Sequence, residues 1–305
     1  MSVDAKSTVS SGPGLTLPTL LLLGLLAVLA LQTGIVRPGS FSSEPGIGPE
    51  TVVVPPHAYT YREAGDFQRG TAAIDGPLIT VPAGMSIEIM TYQVSATDYA
   101  RCVADRACKP AEPRRHGTGN VPATGVSFDD ATAYAAWLSD RTGDAWRLPT
   151  VAEWEFAAGG KAVDIGLGRE TDATNPADRW LAYYEKEAAL GANALATPSP
   201  LGSFGANEFG LADLSATVWE WTTTCGGRTT LDATGAVVSH LDSCGVRILE
   251  GAHRSQMTHF IRDAAGGGCS SGTPPDNLGF RLVRERNGLD GLRSTFAAVQ
   301  RGLGL

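Results

Sequence analysis

Residues 146–160 read WRLPTVAEWEFAAGG, and the fold turns on how they are parsed. Pro149 biases the residue before it toward extended backbone, so a helix does not run through it. Thr150 and Glu153 have capping-box spacing. The hydroxyl accepts a backbone N–H, and the acid reaches back to the cap's own N–H. Gly159 is a natural stop. The stretch therefore predicts an extended entry followed by a short capped helix over 150–160. Trp154 packs inward in this reading. Arg147 is placed to meet a carboxylate in a bidentate pair, with Glu153, Glu155 and Glu220 as candidate partners.

The same signature occurs twice more. SATDYARCVAD (95–105) opens on Ser95 with Asp98 three residues on, and SFDDATAYAAWLSDRTG (127–143) opens on Ser127 with Asp130. In the latter Tyr134, Trp137 and Leu138 share one face, and Gly143 ends it. LITVPAG (78–84), SIEIMTYQV (86–94) and NLGFRLVRE (277–285) alternate polar and apolar and predict strands. Residues 161–206 lack periodicity and predict a long irregular surface. No internal repeat of fixed period is present.

The chain has 305 residues, 43% of them hydrophobic, which is enough for a sizeable core. Its 37 glycines and 18 prolines favour turns and irregular segments over a helical bundle. The net charge of −8 gives no electrostatic reason to expect nucleic-acid binding.

The N-terminus differs from the rest. No charge lies between Lys6 and Arg37, and 15–36 form an apolar run of bilayer-spanning length. Its sequence, LTLPTLLLLGLLAVLALQTGIV, reads either as a transmembrane signal anchor or as a cleaved signal peptide. Both readings place the bulk of the chain outside the cytoplasm. The expected organisation is a short flank (1–14), the apolar segment (15–36), a Pro/Gly/Ser-rich linker (37–75), one domain (76–286) and a C-terminal tail (287–305).

That compartment makes disulfides expected among the five cysteines. Cys102 with Cys108, and Cys225 with Cys244, are candidate pairs that close loops. Cys269 is left over. Other connectivities, and five free thiols, remain open on sequence alone.

Two segments carry charge next to apolar residues. In VWEWT, Glu220 lies between Trp219 and Trp221. On a strand the indoles face one side and the acid the other, so a buried Glu220 needs a cation, Arg281 or Arg147. In EGAHRSQMTHFIR (250–262) two histidines and two arginines crowd together without cysteine. His253, Arg254, His259, Arg262, Asp263 and Cys269 are candidate lining residues of a cleft for an anionic or peptide ligand. Alternatively His253, His259 and Asp263 form an open iron or copper site, since two imidazoles and a carboxylate suit either metal.

Taken in order, WRLPTVAEWEFAAGG, NEFGLADLSATVWEWT (207–222) and NLGFRLVR (277–284) resemble the formylglycine-generating enzyme family, also called the sulfatase-modifying-factor domain. RCVADRACKP (101–110), CGVRILEGAHR (244–254) and FIRDAAGGGCSSGTPPDNLGFR (260–281) resemble its NirV-type branch, associated with copper nitrite reductase. The resemblance implies an α+β fold of C-type-lectin-like kind with much irregular structure. It makes Arg147, Thr150, Glu153, Trp154, Trp219, Glu220, Trp221, Asn277 and Arg281 structural. It implies calcium near V-W-E-W, with Asn193, Asn207 and Asp213 as candidate ligands. This chain has Ala216 and Thr217 where the family carries Gly-Asn, which removes one amide oxygen. Finally, the family binds copper through two cysteines, whereas the matching stretch here offers Ser255, Thr258, His253 and His259 and no thiol. The resemblance implies an accessory protein with a periplasmic protein or peptide partner, without copper–dithiolate chemistry.

Overall fold

The computed structural model describes residues 48–117, 119–167, 176–190, 197–263 and 277–285. All belong to the compact unit Gly46–Leu305. The apolar segment 15–36 lies outside them, as do Asn193, Cys269 and the 287–305 tail. No helix among the described residues is long and apolar enough to cross a membrane.

The fold is α+β, with two larger sheets, a small one and four α-helices among the described residues. The first sheet runs β1 (Thr51–Val54), β6 (Ile87–Met90), β12 (Val283–Glu285), β7 (Ala145–Arg147), all antiparallel. The second runs β10 (Ser255–Thr258), β9 (Val237–Glu250), β8 (Trp219–Leu231), β3 (Asp66–Arg69), β4 (Ala72–Ile74), with β11 (Leu278–Gly279) also on β8. β3 and β11 both pair with β8 in parallel. β2 (Tyr59–Arg62) and β5 (Leu78–Val81) form a separate antiparallel pair.

The expectation that 37–75 is a linker is corrected over its second half. Residues 51–74 supply β1 to β4, which pair with strands far along the chain. Their pairing partners, rather than any internal alternation, make them strands, so a local reading does not find them.

The three capped helices form as their sequences dictate: α1 (Ala96–Ala104), α2 (Phe128–Thr142) and α3 (Val151–Ala158). Ser127–Asp130 and Thr150–Glu153 both close full capping boxes, and Ser95 caps through Asp98 N. Gly143 ends α2 at φ 75°, a left-handed conformation that favours glycine.

A fourth helix, α4 (Pro176–Leu190), corrects the expectation of an irregular surface over 161–206. Among its described side chains Trp180, Leu181 and Tyr184 are exposed, while Arg179 is buried and paired with Asp75.

Two clusters make the core. One joins α1 and α2 to the second sheet through Tyr99, Tyr134, Leu138, Trp219, Trp221, Leu249 and Phe280. The other packs α3 on the first sheet through Trp154, Phe156, Ile89, Leu211 and Val283. Close approach at the seam needs Gly279, where a Cβ would sit 2.7 Å from Val218 Cγ1 and 2.8 Å from Ala123 O.

Candidate functional site

Arg147 binds Glu153 with both terminal nitrogens, at 2.7 and 2.6 Å, and reaches Glu285 through Nε at 2.5 Å. Burial pushes the Glu153 carboxyl upward, but Arg147 and the Thr150 N–H outweigh it and hold the group below its usual range. This pair leaves Glu220 to Arg281. Arg281 Nε and Nη2 donate to the two Glu220 oxygens at 2.6 and 2.8 Å. Trp154 Nε1 and Gln93 Nε2 complete the carboxylate's shell at 2.9 and 2.7 Å. Arg281 spends its other donors on the Thr91 and Ala212 carbonyls. Both residues are fully buried, and the flanking Trp219 and Trp221 lie in the core on the opposite face. Asn277 Nδ2 donates to Thr217 O and ties β11 to the loop before β8.

The nearby calcium candidates hold loops themselves. Asn207 Nδ2 donates to the Ala157 and Ala158 carbonyls, while its Oδ1 accepts from Phe209 N and Leu211 N. The Asp213 carboxylate accepts from Gly202 N and Phe204 N, and its own carbonyl accepts from Gln93. The side-chain oxygens of both residues thus accept from backbone N–H groups of their own loops.

EGAHRSQMTHFIR is divided among three surroundings. His253 is buried edge-on against Trp219, 5.2 Å between ring centroids, and burial lowers its pKa. Ser255 and Met257 on β10 are buried, while Gln256 and Thr258 are only partly so. His259 Nδ1 meets Asp129 at 2.9 Å, and its carbonyl accepts from Phe128 N, so it pins the start of α2. Arg262 grips Asp130 with Nε and Nη2 at 2.6 and 2.7 Å and also bonds Glu112. Asp263 pairs with Arg114.

The expected iron or copper triad is therefore corrected. His253, His259 and Asp263 turn to Trp219, Asp129 and Arg114 respectively. Among the described residues no three His, Cys, Asp or Glu are grouped to hold a metal ion. The chain turns after β10, so the even spacing of the two histidines does not put them on one face.

Arg254, Ser255 and Gln256 line a cavity, and Arg254 anchors its wall. It donates to Glu250 through Nε at 2.6 Å, to Glu155 through Nη2 at 2.8 Å and to the Arg62 carbonyl through Nη1 at 2.8 Å. One guanidinium thus serves two carboxylates. Burial, then the neighbouring Glu250, pushes Glu155 up to about 8, and burial also raises Glu250. Both carboxyls therefore hold a proton more tightly than a free glutamate does.

The cavity is a groove of about 610 Å³ over the second sheet, between Arg254 and Gln256 on one side and Arg179, Trp180 and Tyr183 of α4 on the other. Phe67 and Arg228 also line it. Arg62, at its rim, binds Asp164 with two nitrogens at 2.7 and 2.8 Å, and this holds the Asp164 carboxyl down at about 2. Sequence reading missed Glu155 and Glu250 as a pair, and missed Arg62, Asp164 and α4 altogether. The Glu250–Arg254 spacing was the available signal for the first.

Both candidate disulfides are formed, Cys102–Cys108 and Cys225–Cys244. They consume four of the five cysteines. A two-thiolate copper site needs two thiols from the chain, and only Cys269 is left, so the donor set does not fit that metal.

The chain is similar to a formylglycine-generating enzyme of Mycobacterium tuberculosis, 33% identical over 183 residues, covering 54% of this chain and 57% of that protein. It is similar to the inactive C-alpha-formylglycine-generating enzyme 2 of Mus musculus, 32% identical over 186 residues, covering 56% and 53%. The chain thus spans about half the length of these curated relatives. Among solved structures, PvdO from Pseudomonas aeruginosa shares the fold at a TM-score of 0.51 and 23% identity, over 82% of this chain and all of that one. The model of the sulfatase-modifying factor enzyme 1-like domain matches residues 39–286, including the strands before residue 76. The chain therefore belongs to that family, the formylglycine-generating enzyme family.

Proposed function

We propose that this chain is an accessory protein of the NirV type, tethered or secreted through its N-terminal apolar segment. It works in the periplasm by engaging a protein partner such as copper nitrite reductase during maturation. It does not oxidise cysteine by copper–dithiolate chemistry. The observation that carries this reading is the use of cysteine: two disulfides leave one thiol where the copper chemistry needs two. Two disulfides in one domain also favour an oxidising compartment. The similarity to a relative described as inactive agrees with a scaffold that works without the oxidase step.

The test has two arms. The full chain is supplied with Cu(I), oxygen and a cysteine-containing peptide, and the peptide is followed by mass spectrometry. No aldehyde is expected, and catalytic aldehyde formation overturns the chemical half of the reading. In the second arm, copper nitrite reductase is purified from cells with and without this chain. Lower copper occupancy without it is expected, and equal occupancy overturns the accessory half.

A further inference from the structure

The two disulfides have different surroundings. Cys102 and Cys108 are both buried. Cys225 is partly buried on β8, and Cys244 is exposed on β9. An outside thiolate therefore has much better access to Cys244 than to either sulfur of the other bridge.

Arg247 attends the inner sulfur. Its Nη1 donates to Cys225 Sγ at 3.1 Å and to the Thr223 carbonyl at 2.6 Å. Its guanidinium lies over the Phe128 ring, 4.4 Å from the centroid. Arg147, Arg254, Arg262 and Arg281 are each paired with a carboxylate. Among the described residues no carboxylate pairs with Arg247, and its buried Nε has no hydrogen-bond partner. A disulfide sulfur is only a weak acceptor for that cation. A thiolate in the same place is a full counter-charge and accepts a charge-assisted bond. The guanidinium is thus better matched to reduced Cys225 than to the bridge.

The backbone beside the bridge is irregular. The register between β8 and β9 passes from Cys225↔Arg247 to Gly226↔Ser243, so residues 244–246 form a bulge that the bridge closes. Gly245 O in this bulge accepts from His259 N, and Val246 is opposite Thr258 of β10.

We propose that Cys225–Cys244 is a thiol–disulfide exchange site for a dithiol donor. The donor's first thiolate attacks Cys244 Sγ. A bond forms between those two sulfurs, the Cys225–Cys244 bond breaks, and its electron pair leaves on Cys225 as a thiolate beside Arg247. The donor's second thiolate then attacks the donor sulfur of the mixed disulfide and releases Cys244. The donor is oxidised to a disulfide by two electrons, the bridge is reduced, and the donor's two protons pass to solvent or to the released cysteines. A cation at the leaving sulfur speeds the first step, because a stabilised thiolate leaves faster. Opening the bridge frees the bulge on which His259 is anchored. Both cysteines lie outside the stretch 250–262 that matches the family's copper-binding cysteines, so opening them does not restore that site. The inference does not rest on the accessory role. Its readout is thiols on this chain, not aldehyde on a peptide or copper in a partner.

In the experiment the full chain is treated under native conditions with dithiothreitol and quenched at intervals with excess iodoacetamide. Mass spectrometry of its peptides then reads the label at each cysteine. Cys225 and Cys244 are expected to open at least about tenfold faster than Cys102 and Cys108. Arg247→Met should slow the first pair at least about fivefold and leave the second unchanged. A purely packing role acts the other way, because a loosened hairpin exposes its bridge and speeds reduction. Arg247→Lys, which keeps the charge, should recover most of the lost rate. The two bridges opening together in the wild type overturns the proposal whatever the variants do. So does a rate in folded Arg247→Met that equals or exceeds that of the wild type.

Discussion

Glu220 on β8 and Glu250 on β9 are cross-strand partners in the same sheet, and both are buried, yet they are neutralised differently. Glu220 has Arg281 to itself, with Trp154 and Gln93 filling the remaining positions. Glu250 shares Arg254 with Glu155, and Arg254 opens onto the groove. The first arrangement is closed, balanced and core-forming. The second sets two carboxyls against one guanidinium, and burial raises the pKa of both. Burial alone therefore does not tell a structural ion pair from a responsive one. The ratio of charges, and access to a cavity, decide.

Removing the cation should separate the two most sharply. Arg281→Leu leaves Glu220 buried without a counter-charge, at a cost of about 3–5 kcal/mol. Equilibrium urea denaturation should show either that loss or failure to fold at every pH tested. The double change Arg281→Leu with Glu220→Leu should recover part of it, since an unpaired carboxylate is then absent. A double variant no better than the single would break the assignment of Glu220 as that pair's other half.

Arg254→Leu should cost about 3 kcal/mol at about pH 8, the lower end of the same range. The loss should shrink toward about pH 5, because Glu155 and Glu250 can take up protons in place of the lost cation. A loss independent of pH would erase the distinction between the two clusters.

Glu155→Gln sharpens the point at smaller cost. The Glu155 pKa is raised in the folded protein from 4.5 to about 8, so the folded state binds the proton more tightly. The associated stability is fully present below the unfolded value and is lost as pH rises through the folded one. Wild-type stability should therefore fall between about pH 5 and about pH 8, and Glu155→Gln should flatten that slope, gaining on the wild type at the alkaline end. Parallel profiles of urea midpoint against pH would show that the extra proton resides elsewhere.

The smallest effect belongs to the rim of the EGAHRSQMTHFIR segment. His259→Ala removes a partly exposed pair with Asp129 and should change stability by less than about 1 kcal/mol. Thermal unfolding of the variant would measure it. A loss of several degrees beyond that scale would mean that His259 holds more than the start of α2.

Much of this contrast was legible in residue order. Trp219 and Trp221 around Glu220 announce a buried acid, because alternation on a strand sends the indoles one way and the carboxylate the other. Arg281 in NLGFR was one of two cations proposed for it. The capping boxes at Ser127 and Thr150 were equally plain, because a cap is local and its partners lie three residues away. The Glu155–Arg254–Glu250 cluster was not legible. Glu155 and Arg254 are 99 positions apart, and no periodicity links them. Helix α4 was hidden for a related reason: its buried Arg179 finds its partner, Asp75, 104 positions away.

The sequence by itself determined the family, the α+β class and three capped helices, since each rests on neighbouring residues or on which residue types are present. Tertiary structure alone decided which cation meets which acid, that His253, His259 and Asp263 part company, and that residues 51–74 join the sheets. Those outcomes depend on which distant segments the packing brings within hydrogen-bond reach, and a contact of that kind leaves no mark on either segment's own order.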